Sequence, residues 1–408
     1  MDASPDLEVP PALREADAYL KRIADVARLL PALTATNAVE ERARLVAEVE
    51  AGGTPTPRWV LRKRRVEPEL YRLLDGVRAR AAGTIVEDLY HARADELELE
   101  LAMIEALGDP KRIRPLVARR FGDGRSEVDL PGGPVPLARL ARGLLDALPH
   151  REEPREIPPI AEPGRPSLAA LVHAVAASAG LRLEVKIDPR LSAGAATGDR
   201  TVFLADRWFG RRESLRFAVH EVLGHAVAAA NARDQPIRLF EIGTAGSFGT
   251  QEGVALWLEE KAGLLDAYRL RVIAARVLAT DRMHASASFG ETARWLHRDL
   301  GFSAADAVSI AERAYRGGGV ARDAGYLAGW IAVRTALAEG RTTLDALRAG
   351  RVGLDVARRL PELVARGLAR YPRYRPSLAR SLAATEGGTS LDTSPPSMAA
   401  SLTMLEET

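Results

Sequence analysis

Residues 217–230 read FAVHEVLGHAVAAA. They belong to a helical run over 212–232 that carries His220, Glu221 and His225. A zinc-protease helix of the form H-E-x-x-H sets its two histidines one turn apart on one face. The form here is H-E-x-x-G-H, one residue longer. At about 100° per residue a five-residue step turns roughly 500°, about 140° off alignment, against about 40° for a four-residue step. A regular α-helix therefore does not aim both imidazoles at one ion. The spacing predicts a local π-bulge, a distortion frequent at functional sites. Gly224, immediately before the second histidine, eases it.

A catalytic zinc takes three protein ligands and leaves one position open. The chain has no Cys. That excludes disulfides, cysteine nucleophiles and sulfur-ligated metal, and leaves His and carboxylates as ligands. The remaining histidines, at 91, 150, 173, 284 and 297, sit in no comparable motif. A downstream carboxylate is the natural third ligand, and Glu252 in FGTQEGVALWLEE is the candidate. It is placed at the start of a helix beginning near Gln251, with Gly249 and Gly253 allowing close backbone approach. Glu259 and Glu260 are rivals on the same helix. Glu221 faces the expected water position as general base. Tyr326, His284 and His297 are the candidate donors to an oxyanion.

Outside the motif, the 408 residues carry 57 basic and 55 acidic side chains, a net charge of +2. This balance speaks against a nucleic-acid partner or a polybasic membrane contact, and the cluster LRKRR at 61–65 reads as a solvated helix face. The first residues, MDASPDLEVPP, lack the basic start and apolar stretch of a secretory signal. There is no run of about 18 apolar residues. The expected location is the cytoplasm, with no membrane contact.

The N-terminal region, 1–148, reads as helical, with 91–108 its clearest amphipathic helix. A Pro-rich charged stretch at 149–166 reads as a linker or surface strap. The catalytic region, 167–385, opens with a helix over 167–180. Strands are expected at 181–187, 201–204 and 237–242. Helices continue to about residue 365. The tail, 386–408, has a disordered composition. The expected class is mainly α (α+β), with a small sheet beside the active-site helix.

The combination HEVLGH, QPIRLFEIG and QEGVA resembles the QEGLA-motif family of predicted metallopeptidases, whose bacterial members are often labelled flavohaemoglobin-expression modulators. That family includes the microtubule-associated tyrosine carboxypeptidases, which use zinc to remove a C-terminal Tyr from α-tubulin. The segment ARDAGYLAGW resembles the family's basic-Asp-x-x-Tyr-Leu-x-Gly stretch, and the similarity spans roughly 57–331. The resemblance implies a helical, gluzincin-like zinc peptidase with His220, His225 and Glu252 as ligands and Glu221 as base. It further implies that Asp323 orients a ligand histidine and that Tyr326 contacts the oxyanion or substrate. Val254 replaces the motif's Leu, one apolar residue for another. H-E-x-x-G-H is also the motif of dipeptidyl-peptidase III, a longer family whose second motif starts with a Glu pair where this chain has Gln251-Glu252.

The expected function is zinc-dependent hydrolysis at the C-terminus of a peptide or protein. Arg238 and Arg322 are candidates for the substrate's carboxylate. The alternatives are a non-catalytic zinc-binding regulator or scaffold, and a dipeptidyl-peptidase-III-like enzyme acting from the N-terminus. An intact Glu221 disfavours the first, since a structural site needs no base.

Overall fold

The computed structural model describes residues 9–385, apart from 63, 131, 151–152 and 162–165. The expected disordered tail lies outside the described residues, as does part of the expected strap. The chain is mainly helical with two small sheets. Local chemistry sets many helix starts. Pro11, Pro68 and Pro110 open their helices at the first turn, where a missing N–H costs no hydrogen bond. The side chains of Ser167, Asp266, Ser288 and Ser303 each accept a backbone N–H three residues on.

Several sequence expectations need correction. The stretch 61–65 lies in no helix among its described residues, because Pro68 disfavours helical geometry just before it and the helix starts there. A two-stranded antiparallel hairpin, Glu127–Leu130 with Gly133–Pro136, interrupts the N-terminal helices. Its strands are only four residues long, so alternation barely registers. The apolar run at 237–242 forms a short helix, Leu239–Ile242, not a strand; a run that short does not distinguish the two. The 91–108 helix runs Glu87–Glu105.

The expected small sheet does form. Glu184–Ile187 pairs parallel with the central strand Thr201–Leu204, whose other edge pairs antiparallel with Ala195–Thr197. This last strand is made of small residues with little β-propensity and was not expected. It packs against the motif run.

Buried apolar residues from Leu13 to Ala369 form one continuous cluster. Ala38–Glu50 packs on Ala304–Tyr315, and Leu137–Ala147 on Ala267–His284. The N-terminal helices thus reach the elements around the motif. At the centre, the motif run packs on the helix Ser247–Lys261, which in turn packs on Ala324–Ala338. Glycines set these spacings. A Cβ on Gly224 falls 2.6 Å from the Ala255 Cβ, and one on Gly253 falls 2.2 Å from the Gly329 carbonyl oxygen. No helix among the described residues is long and apolar enough to cross a membrane.

Candidate active site

The motif run is an α-helix over Arg211–Ala218, a π-helix over Val219–Ala226 and an α-helix again over Val227–Ala232. The Val227 N–H donates to the Val222 carbonyl, five residues back. The distortion demanded by the five-residue spacing is therefore present, and it is longer than the single-turn bulge in which π geometry usually occurs. The wider turn brings His220 and His225 back to one side, with ring centroids 4.9 Å apart.

Glu252 completes the group from the neighbouring helix, which starts at Ser247, a turn earlier than expected, after Gly246 in left-handed geometry. His220 Nε2 and His225 Nε2 are 3.2 Å apart. Glu252 Oε2 lies 3.4 Å from the first and 3.6 Å from the second. A tetrahedral ion with bonds of about 2.0–2.1 Å has ligand atoms about 3.3–3.4 Å apart, so the three atoms match one face of such a shell. Glu252 Oε2 is buried with no hydrogen-bond donor. A buried carboxylate oxygen without a donor is costly unless a cation takes it. Burial pushes the Glu252 carboxyl up, but His225 and His220 hold it well below the ordinary range. The donor set and its geometry fit a divalent metal.

His220 is oriented from behind. Its Nδ1 lies 2.6 Å from Glu259 Oε1, which leaves Nε2 facing His225 and Glu252. Glu259 is fully buried. Arg269 donates to both of its oxygens, at 3.1 and 3.3 Å. Burial pushes Glu259 up, yet Arg269 and His220 hold it near 2. Burial pulls His220 down, and the Glu252 and Glu259 carboxylates beside its two ring nitrogens more than offset this, lifting it to about 9. Such a carboxylate–histidine pair fixes the imidazole orientation and strengthens it as a ligand.

Glu221 is buried beside His220. Its Oε2 accepts from Thr197 Oγ1 at 2.7 Å, and that hydroxyl also lies 3.0 Å from the Glu221 carbonyl. The unexpected edge strand thus holds the expected base. His220, Glu221 and Tyr326 line a cavity of about 710 Å³, whose wall includes Val39, Ala43 and Val46 of the N-terminal region. That volume suits a ligand the size of a short peptide segment.

The other expected site residues divide. Tyr326 lines the cavity, and its hydroxyl accepts from Arg313 at 3.4 Å. Burial and then Glu252 push its phenol well up, keeping it protonated. Asp323 is buried but accepts from Arg313 at both oxygens, not from a ligand histidine; the role expected of it falls to Glu259. Arg322 is partly buried over the Phe248 ring, 4.2 Å from its centroid. Arg238 pairs with Glu241 on an exposed face, and its backbone N–H donates to Asp17. Of the rival carboxylates, Glu260 accepts from the Trp330 indole. His297 contacts the Phe302 carbonyl, and neither it nor His284 lines the cavity.

Sequence reasoning missed Thr197, Arg269 and the orienting role of Glu259. One signal was available for Glu259: it follows Glu252 by seven residues, about two full helical turns, so both share a face.

The sequence pattern of a protein family described as microtubule-associated tyrosine carboxypeptidase matches residues 49–391. The chain belongs to this family. No curated protein and no solved structure matches it. Membership makes the chain a peptidase of the carboxypeptidase type. The family's matched span contains every residue of the convergent group, Glu221 and Tyr326.

Proposed function

We propose that the chain is a zinc-dependent carboxypeptidase that removes the C-terminal residue of a peptide or protein, with tyrosine the first residue to test because the family carries that activity in its description. The observation that carries this reading is the triangle of His220, His225 and Glu252 donor atoms beside a buried glutamate on a peptide-sized cavity. These three residues hold the ion, and a two-His, one-carboxylate set without sulfur suits zinc. When bound, zinc supplies Lewis acidity and makes a water acidic enough to react near neutral pH.

The protein's own groups do the rest. Glu221 takes a proton from the attacking water as its oxygen bonds to the scissile carbonyl carbon. It then delivers that proton to the departing amine as the C–N bond breaks. Thr197 fixes the carboxylate for both transfers. Tyr326, kept protonated, donates to the oxygen that gains charge. Glu259 holds the His220 proton on Nδ1 so that Nε2 stays available.

Metal content by mass spectrometry, paired with cleavage of peptides ending in Tyr, tests the proposal. The expected result is about one zinc per chain and release of the terminal residue. Cleavage that persists after chelation, or a chain that takes up no divalent metal when it is supplied, overturns it.

A further inference from the structure

A carboxypeptidase has to recognise a free terminal carboxylate, and the two arginines first suspected of that task do not fit. Arg238 is paired on the surface, and neither it nor Arg322 lines the cavity. The cavity is instead lined by four other guanidinium groups in its buried part, those of Arg216, Arg269, Arg276 and Arg313. Only two of them are neutralised at close range. Arg269 grips Glu259 through two hydrogen bonds, and Arg313 grips Asp323 likewise.

Arg216 and Arg276 differ. Arg216 is 8% exposed, and its Nη1 is buried with no hydrogen-bond partner. Its nearest carboxylates, Glu213 and Glu259, stand at 3.6 and 4.0 Å and are already held by Arg207 and Arg269. Arg276 has a buried Nε with no hydrogen-bond partner. Its one close carboxylate oxygen, Asp323 Oδ2 at 3.5 Å, is the oxygen that Arg313 Nε already occupies. Burial and the neighbouring Arg313 and Arg269 cations pull Arg276 down to about 9, and burial with Arg269 pulls Arg216 down too. Buried cations lacking counter-charges are unfavourable, and arginines are seldom buried without partners. Both line the cavity that also holds His220 and Glu221. An anion entering there meets two buried guanidinium groups, each with a nitrogen that has no hydrogen-bond partner.

We propose that Arg216 and Arg276 form the subsite that binds the α-carboxylate of the substrate's C-terminal residue. This rests on the carboxypeptidase reading above. It places the residue to be released at the buried, cationic end of the cavity. The apolar face of Val39, Ala43 and Val46 is left to line the rest of the peptide's path.

The test measures binding as well as turnover. N-acetyltyrosine and N-acetyltyrosinamide differ only in the terminal carboxylate, and calorimetry on Glu221→Gln protein compares them without hydrolysis. The acid is expected to bind at least about 100-fold more tightly than the amide, and Arg276→Gln or Arg216→Gln to remove most of that difference. Both variants leave Asp323, Glu213 and Glu259 with their other arginines, and thermal melts check folding. Arg276→Lys keeps the charge without the fork and is expected to bind between the two. In turnover on the wild-type background, each Gln variant is expected to raise KM for a free-carboxylate peptide. Equal binding of acid and amide, or folded Gln variants that keep the preference, overturns the subsite. If the wild type cleaves no peptide yet binds the acid selectively through these arginines, the carboxypeptidase reading fails and the subsite stands.

Discussion

Two walls of the candidate site handle charge in opposite ways. On the π-helical wall, His220, His225 and Glu252 turn three donor atoms toward one point, and the outward side of His220 is tied to Glu259. On the other wall, Arg216 from the start of the motif run joins Arg269 and Arg276 of Ala267–His284 and Arg313 of Ala304–Tyr315, and not all of them have a carboxylate of their own. One wall is short of a cation and the other of an anion. A metal ion answers the first and a substrate carboxylate the second, so each wall is completed by something the chain does not supply. Arg269 links them: it grips Glu259, which orients His220, and its charge bears on both Arg216 and Arg276.

The largest test of this contrast separates metal holding from proton transfer. Glu252→Ala removes one corner of the triangle and is expected to abolish both zinc content and cleavage. Glu221→Gln is expected to keep about one zinc per chain while kcat falls by roughly 10²–10⁴, the usual worth of a general base. Loss of zinc in Glu221→Gln, as judged by mass spectrometry, contradicts the separate roles. Next comes Glu259→Gln, where a neutral amide faces His220 Nδ1. Weaker zinc affinity by about 10–100-fold is expected, measured by competition with a chelator. An unchanged affinity means that Glu259 serves packing alone.

The two walls were also unequally legible. The metal wall rests on H-E-x-x-G-H and Q-E-G, where spacing alone sets which side chains converge, so the grouping of His220, His225 and Glu252 and even the helix distortion were readable. The arginine wall has no such grammar. In a chain where nearly every basic residue is Arg, Arg216 and Arg276 look like Arg238 or any surface arginine. What sets them apart is burial on the cavity lining with a nitrogen that has no hydrogen-bond partner, a property of contacts between distant segments. Thr197 escaped notice for a related reason: its strand is three small residues, and its hydrogen bond crosses 24 positions. The helical class followed from periodicity, while the hairpin and the Leu239–Ile242 helix were too short to register.

Gly224 tests the packing that holds the metal wall together. Gly224→Ala drives a methyl to 2.6 Å from the Ala255 Cβ and pushes the π stretch off the helix that carries Glu252. About 1–3 kcal/mol of destabilisation is expected by denaturant unfolding, together with weaker zinc binding. Stability lost without any loss of zinc affinity means that the triangle tolerates a shift between the helices.

The smallest expected effect belongs to Thr197, and it asks how the base is aimed. Thr197→Val keeps the shape but removes the only hydroxyl donating to Glu221 Oε2 among the described residues. A net hydrogen bond to a charged group is worth about 1.5–3 kcal/mol, but Glu221 can recover part of that from water in the cavity. The expected result is therefore a fall in kcat of about 3–10-fold, with KM and zinc content unchanged. Because the same hydroxyl also touches the Glu221 carbonyl, a purely structural role predicts a lower melting temperature instead. Thr197→Ser separates the two: restored kcat at wild-type KM means the hydroxyl aims the carboxylate. If Ser and Val behave alike, with kcat intact in both, the π-helical backbone alone positions the base.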